Sequence, residues 1–467
     1  MTQIVVNPIT RISGFLEISA DVQENYVADA KVEGNLFRGF ELMLNGRPPL
    51  DAVYFTQRIC GICSAAHATA SSMALEAALG VIPSEQGRYL RDFTHACDFI
   101  QNHIRHFYQF ALPDFVRLPD YGPVFEATGT DFRFPPNITD ELSAHYFASL
   151  NVSRTAHTML AILGGKAPHS HGIFVGGITK PATVEDIIAL KSMLEELKTF
   201  VNNVMVPDAL LLAEYYGDYF QIGGGYGNFL SYGCFNGYRD IGTLYVDPST
   251  YYNGAIAPLD PDGITESVEF AYYSPPEQYT PFETLVQPNA SKTDANSWIK
   301  APRYFGVPFE VGPLARQWLC GEYRNGVSVM DRTLARVYET RKLLGVMQTL
   351  LDNVIPETQL QTKYTVPEQA RGMGLVDTSR GALGHWVEVS DRKLSLYQII
   401  TPSAWNLSSY AQGTRGAGEQ ALIGAHIADV DNPVEIGRII RSFDPCVSCG
   451  THVFTPEGLR GTWIVVP

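Results

Sequence analysis

Two CxxC pairs stand at opposite ends of this chain, and together they constrain the fold more than any other feature. The first lies in "RICGICSAAH" (Arg58–His67) and the second in "DPCVSCGTH" (Asp444–His452). If all four thiols serve one object, the fold must bring positions 60 and 63 to positions 446 and 449. Seven cysteines in 467 residues are too few for a disulfide scaffold. Cys97, Cys234 and Cys320 are scattered and read as small buried hydrophobes.

Several objects can use four thiols. Zinc ribbons place their two pairs about 15–20 residues apart, whereas nearly the whole chain separates these. A chain with this much apolar residue does not need a metal staple to fold. Disulfides and iron–sulfur clusters also consume cysteines, but neither accounts for the histidine after each pair, the Asp-Pro before Cys446 or the arginine before Cys60. Soft thiolates flanked by acids, histidine and arginine suit a redox-active transition metal, and bridging thiolates let four cysteines hold two metals. The spacing alone leaves these readings open.

The rest of the sequence predicts an α+β fold, predominantly helical. Residues from about 3 to 36 alternate like strands, so the first 50 residues read as an N-terminal β region. "SAAHATASSMALEAAL" after the first CxxC favours helix. Three long stretches carry apolar residues at three- and four-residue intervals: 83–112, 183–216 and 329–355. Such stripes bury each other, which predicts a core bundle of long helices with short peripheral sheets. Between Gly217 and Pro313 the chain is rich in Gly, Tyr and Pro, with short strands. Short strands return after Thr362, and "PVEIGRIIRSF" is a last helix that delivers the second CxxC. No linker separates parts, so one domain is expected over 1–467.

Composition removes some classes. With 45% hydrophobic and 18% charged residues, the chain is globular rather than disordered. A net charge of -15 and the lack of a Lys/Arg run argue against nucleic-acid binding. No apolar run reaches the ~18 residues of a membrane span, and the N-terminus lacks the pattern of a signal peptide. Export on a signal-bearing partner stays open.

The motif pair resembles the signature of the large subunit of nickel–iron hydrogenases. "NPITRISGFLEI", "FRGFE", "GGKAPHSHGIFVGG", "RGALGHW" and "YQIITPSAWN" resemble further blocks of that family, in its order and across essentially the whole chain. The resemblance implies a binuclear nickel–iron centre closed by both chain ends. Cys60 and Cys446 would be terminal nickel ligands, and Cys63 and Cys449 would bridge nickel to an iron carrying cyanide and carbon monoxide. Arg380 would stand over the open face of the metals, with Asp444 holding its surroundings. Ser403 would donate to a cyanide and His67 would hydrogen-bond a bridging thiolate. Glu41, the carbonyl of Ile399 and His452 would bind Mg2+.

The resemblance also implies partners. A small subunit would carry the iron–sulfur clusters, since this chain has no cysteines left for them. Maturation proteins would supply the diatomic ligands, and a C-terminal endopeptidase would remove 453–467 after His452. Location would be periplasmic or membrane-associated by co-export with the small subunit, or cytoplasmic. Three positions depart from the family. Ser13 stands where most relatives have a proton-relaying glutamate, Asn102 where an acid is usual, and Ser379 where a proline is usual. The function implied is heterolytic cleavage or formation of dihydrogen. The alternatives are a hydrogen sensor of low activity or a metal-free structural relative. The tail beyond His452 favours the enzyme, and the retained cysteines argue against the metal-free form.

Overall fold

The computed structural model describes residues 2–119, 129, 131–360 and 363–447. Cys449, His452 and the 453–467 tail lie outside these described residues.

Strands β1 (Thr2–Val6), β2 (Leu16–Gln23) and β3 (Tyr26–Gly34) form an antiparallel sheet in sequence order. The β character ends at Gly34, short of residue 50: α1 (Phe40–Leu44) and α2 (Asp51–Thr56) follow and lead into the first CxxC. Helix α3 (Ser64–Leu79) starts directly after it, with Cys63 at the N-cap position.

Helix α4 (Glu85–Arg105) is capped by Ser84, whose Oγ accepts from the Gly87 N–H at 3.0 Å. It passes into a π turn at His106–Ala111, so the long stripe of the sequence leaves regular α geometry before residue 112. Helix α5 (Pro136–Gly164) spans 29 residues, and the sequence reading missed it. Its buried face is small and mixed, carrying Ser143, Ser149, Ser153 and Ala156 among the leucines, so no simple apolar stripe marks it. β4 (Ile173–Phe174) and β5 (Gly177–Ile178) form a small hairpin. The next stripe divides into α6 (Val184–Phe200), opened by a Thr183–Asp186 capping box, a π turn at Val201–Met205 and α7 (Val206–Tyr215).

The irregular middle holds two sheets, β6 (Phe229–Ser231) with β7 (Ser249–Tyr252) and β8 (Ala255–Pro258), and β9 (Ile264–Ser267) flanked by β10 (Gln278–Tyr279) and β11 (Ala301–Tyr304). Helix α8 (Pro313–Leu319) precedes α9 (Val329–Asp352), which Ser328 caps at the Asp331 N–H. α4 packs on α5 and α9, α5 on α6, and α6 and α7 on α9.

A hairpin sheet of β12 (Gln369–Thr378), β13 (Gly381–Ser390) and β14 (Lys393–Ile400) lies against α3. Gly372 and Gly374 make that approach possible. A Cβ on Gly374 would stand 2.1 Å from the Ala70 carbonyl, and one on Gly372 2.4 Å from that of Ala74. Helices α10 (Pro402–Leu407), α11 (Ala417–Leu422) and α12 (Val434–Ser442) complete the described chain. The fold is thus α+β with small sheets. Among the described residues no helix is long and apolar enough to cross a membrane.

Candidate metal centre

Cys60 follows a single 3-10 turn (Gln57–Ile59) with extended backbone, φ −144°, and Cys63 opens α3. Cys446 arrives from the other end of the chain. After α12 the backbone turns at Asp444, φ +57°, and then runs parallel to the N-terminal segment: the Ser13 N–H donates to the Pro445 carbonyl at 3.2 Å. The loop at Ser13 is itself held, because Arg11 pairs with Asp114 and Arg441 grips the same carboxylate and the Thr10 carbonyl. The sulfurs of Cys60, Cys63 and Cys446 all lie within 4.8 Å of one another, and all three residues are buried. Cys60 Sγ and Cys446 Sγ are 3.2 Å apart, well beyond the ~2.05 Å of a disulfide.

Arg380, in the turn between β12 and β13, carries its guanidinium close enough to the sulfurs to feel their charge. Its Nε donates to the Asp444 carbonyl at 2.9 Å and its Nη2 to Asn102 Oδ1 at 2.7 Å, and Nη2 forms an ion pair with Asp444 Oδ1 at 3.0 Å. Burial alone would lower its pKa. The negative charges of Asp444, Cys446, Cys63 and Cys60 outweigh that and hold the guanidinium well above its usual range. Arg380 Nη1 is buried and has no hydrogen-bond partner. An unpaired donor in so dry a place costs about 1–3 kcal/mol, unless something not made of protein takes it.

Asn102 explains its own identity here. Its Nδ2 donates to Asp444 Oδ2 at 2.7 Å while its Oδ1 accepts from Arg380. A neutral amide serves both charged neighbours, whereas a carboxylate would set a second negative charge beside Asp444. Burial raises Asp444, but Arg380, His106 and Arg336 prevail and keep it below the usual carboxylate range. One turn earlier on α4, Asp98 is fully buried, and burial pushes it up to about 7.

The remaining expected residues are placed as follows. Ser403 Oγ accepts the Cys446 N–H at 3.0 Å, which leaves its own hydrogen to donate elsewhere. His67 Nδ1 lies 3.2 Å from His385 Nε2, and burial lowers the His67 pKa to about 4. Glu41 and Ile399 do meet: the Ile399 N–H donates to Glu41 Oε1 at 2.9 Å. The same oxygen takes Lys300 Nζ at 3.0 Å, and Lys300 also pairs with Glu266 at 2.8 Å. Two carboxylates against one ammonium leave an excess negative charge, and Glu266 Oε1 is buried with no hydrogen-bond partner. A cavity of about 80 Å3 borders Glu41, Glu266, Lys300, Ile399, Ser403 and Cys446. This oxygen-rich, net anionic corner fits a hard, partly hydrated divalent cation.

Sequence reasoning missed the buried network behind the guanidinium. Arg316 on α8 makes a bidentate pair with Glu339 on α9 (2.6 and 2.7 Å) and donates to the carbonyls of Thr378 (2.9 Å) and Ser379 (3.3 Å), the two residues before Arg380. Glu339 also accepts from Tyr245 at 2.6 Å and lies 2.7 Å from His103, the neighbour of Asn102. No local pattern marks these residues, since Glu339 sits in an ordinary helical stripe.

Comparison with known proteins bears on what this arrangement is. Residues 38–122, 122–326 and 319–452 match the family model for nickel-dependent hydrogenases. The chain belongs to the nickel-dependent hydrogenase family. It is 34% identical to the periplasmic [NiFeSe] hydrogenase large subunit of Desulfomicrobium baculatum, over 97% of this chain and 96% of that protein. It is 29% identical to the hydrogenase-1 large chain of Escherichia coli K12, over 98% and 96%. The solved Ni-Fe-Se hydrogenase from D. vulgaris Hildenborough in its reduced state superposes with a TM-score of 0.92 at 34% identity, covering 97% of this chain and 100% of that one. A family member matched along its whole length to large subunits is a hydrogenase large subunit, an oxidoreductase acting on dihydrogen. These relatives do not favour the sensor reading.

Proposed function

We propose that this subunit cleaves or forms dihydrogen heterolytically at a nickel–iron centre held by Cys60, Cys63, Cys446 and Cys449. What carries the reading is the meeting of three buried sulfurs from two chain ends beside a guanidinium whose Nη1 has no hydrogen-bond partner. When bound, the centre supplies the two-electron chemistry that splits the dihydrogen bond, with cyanide and carbon monoxide on its iron.

The chain's own residues do the rest. Cys60, Cys63, Cys446 and Cys449 would hold the centre through their thiolates. A cysteine thiolate or Arg380 would take the first proton. Arg380 would offer Nη1 to the substrate, with Asp444 and Asn102 holding the guanidinium in place. The Ser403 hydroxyl, braced by the Cys446 N–H, turns its hydrogen toward a cyanide. His67 donates to a bridging thiolate. Glu41, the Ile399 carbonyl and His452 hold Mg2+, which pins the C-terminal segment against the N-terminal one.

The electron exit is a small subunit with iron–sulfur clusters. Maturation proteins load the centre, and an endopeptidase removes 453–467 from an otherwise single domain. The protein works in the periplasm or at the membrane, carried there with its partner. Metal analysis and infrared spectroscopy of the purified heterodimer test the core of this reading. We expect about one nickel per chain with iron, together with cyanide and carbonyl stretches. A preparation active on dihydrogen but devoid of nickel and of those stretches would defeat it.

Proton exit is where this member differs. Ser13 adjoins Cys446 through the backbone pairing of the two segments, and a hydroxyl relays a proton without holding charge near neutral pH. Glu17 lies four residues further along, where its carboxylate accepts from the Asn7 side chain. Ser13→Glu is therefore expected to raise the hydrogen–deuterium exchange rate, by about tenfold or more given the usual contribution of a placed general base. An unchanged rate with the centre intact would show that another group already carries the protons, Asp98 being the first to examine.

A further inference from the structure

Behind Arg380 the buried network closes into a ring, and one histidine completes it. Arg380 Nη2 donates to Asn102 Oδ1 at 2.7 Å, and Asn102 Nδ2 donates to Asp444 Oδ2 at 2.7 Å. The same Asp444 oxygen accepts from Arg336 Nη1, on α9, at 3.2 Å. Arg336 Nη1 also lies 3.1 Å from His103 Nδ1, and His103 Nε2 lies 2.7 Å from Glu339 Oε2. Arg316 Nη2 donates to that Glu339 oxygen at 2.7 Å and to the carbonyl of Ser379, the residue before Arg380, at 3.3 Å. His103, Glu339, Arg316 and Arg336 are at most 1% exposed.

We infer that His103 is a positioning residue for the hydrogenase reaction: held as the neutral Nε2–H tautomer, it joins Arg336 to Glu339, closes the ring and so fixes how the Arg380 guanidinium is presented. This rests on the reading that Arg380 serves dihydrogen at the metal centre.

The two neighbours assign the proton. A guanidinium has donors and no acceptor, so the histidine nitrogen beside Arg336 must accept. An ionised carboxylate only accepts, so the nitrogen beside Glu339 must donate. Burial raises Glu339, but Arg316 and the His103 hydrogen bond prevail and keep it below the usual carboxylate range. One state with a single ring proton meets both demands: a hydrogen on Nε2 and a bare Nδ1. A second proton has no place to go. Arg380, Arg336 and Arg316 are already balanced by Asp444, Glu339 and Asp377. An Nδ1–H would meet the Arg336 N–H donor to donor. Burial, with Arg336 and Arg316 adding to it, lowers the His103 pKa to about 4.

The ring then acts on Arg380 by way of Asp444. Arg336 Nη1 carries two hydrogens, and Asp444 Oδ2 and His103 Nδ1 are two acceptors within reach. Without His103 Nδ1, one hydrogen is stranded in a dry interior, and such a donor is costly to leave unmet. The Arg336 guanidinium shifts to find another acceptor, and Asp444 loses its support. Asp444 is what orients the Asn102 amide. Once that amide turns over, it presents N–H groups to Arg380 Nη2, and the bond that holds the guanidinium is gone. His103 does this without touching sulfur or substrate, through contacts that are all on the page.

A double-mutant cycle in the metal-loaded heterodimer tests this. His103→Gln supplies an amide at the reach of Nε2 and no acceptor at the place of Nδ1. Its kcat per nickel for dye reduction by dihydrogen is expected to fall about tenfold or more, as misplaced groups usually cost. The KM for dihydrogen should hold within about twofold, since only the presentation of the guanidinium changes. Arg380→Lys removes the planar group that the ring sets. In that background the same His103→Gln change should cost less than about twofold, because residues acting through one group are not additive. Equal losses in both backgrounds would reduce His103 to a structural residue and overturn the inference, as would a parental kcat in His103→Gln. Arg380→Lys at the parental rate would count instead against the role of Arg380 itself. Should His103→Gln fail to accumulate, neutron diffraction from the deuterated, unaltered heterodimer decides. A deuteron is expected on His103 Nε2 alone, and one on Nδ1 would sink the proposal.

Discussion

Cys446→Ser is expected to abolish nickel retention and hydrogen turnover together while the chain stays folded. Cys446 sits 3.2 Å from Cys60 across the meeting of the two chain ends, and its backbone is fastened by Ser403 and by the parallel run with Ser13. Serine changes little in volume, so the packing survives. The soft, ionisable donor does not, since a serine hydroxyl stays protonated where a thiol becomes thiolate. Nickel per chain should fall at least tenfold and dye reduction by dihydrogen should drop to background, with a melting temperature close to that of the metal-free parent. Full nickel and full activity in Cys446→Ser would remove the sulfur cluster from the reaction. The matching Cys63→Ser change should cost iron as well as nickel, because that thiolate would bridge them.

The second large effect concerns Glu339, which touches none of the sulfurs. Glu339→Ala is expected to destabilise the protein by about 3–5 kcal/mol, the usual result of leaving one member of a buried ion pair without the other. Arg316 would keep only Asp377, a carboxylate that burial already pushes upward in pKa. His103 and Tyr245 would lose their common acceptor. A chemical-denaturation midpoint measures the loss. The exposed Lys191–Asp352 pair is the control, and Lys191→Ala should cost at most about 1 kcal/mol. Activity should fall beyond the stability loss, because Arg316 grips the carbonyls of Thr378 and Ser379 and so sets where Arg380 points. A Glu339→Ala protein as stable as the Lys191→Ala control would mean that the network contributes nothing to the native state.

Lys300 shows how a local pattern and its surroundings can point to different partners. "FRGFE" and "YQIITPSAWN" marked Glu41 and Ile399 as belonging together, and they are hydrogen-bonded. Nothing in either block announces that an ammonium from "WIKAPRY" lies against the same carboxylate with Glu266 beside it. The charge balance of that corner depends on three segments far apart in the chain, so only their packing discloses it. The missed helix α5 has a similar cause. Its Ser143, Ser149, Ser153 and Ala156 are buried and the helix packs on α4, and close helix packing rewards small side chains that a search for apolar stripes passes over.

By itself the sequence marked Cys60, Cys63 and Cys446 as candidate metal ligands, and these three sulfurs do meet in the fold. Chelation by a CxxC depends on residues three apart on one short segment, and the caps at Ser84, Thr183 and Ser328 act within a single turn. Such features are local and survive as readable patterns. The tertiary structure decided what surrounds the ligands. It set Asn102 between Arg380 and Asp444, stood Arg316 and Glu339 behind that turn, and lined His385 up behind His67. Each of these is a hydrogen bond or ion pair across tens to hundreds of residues, made strong by burial that no short stretch of sequence specifies.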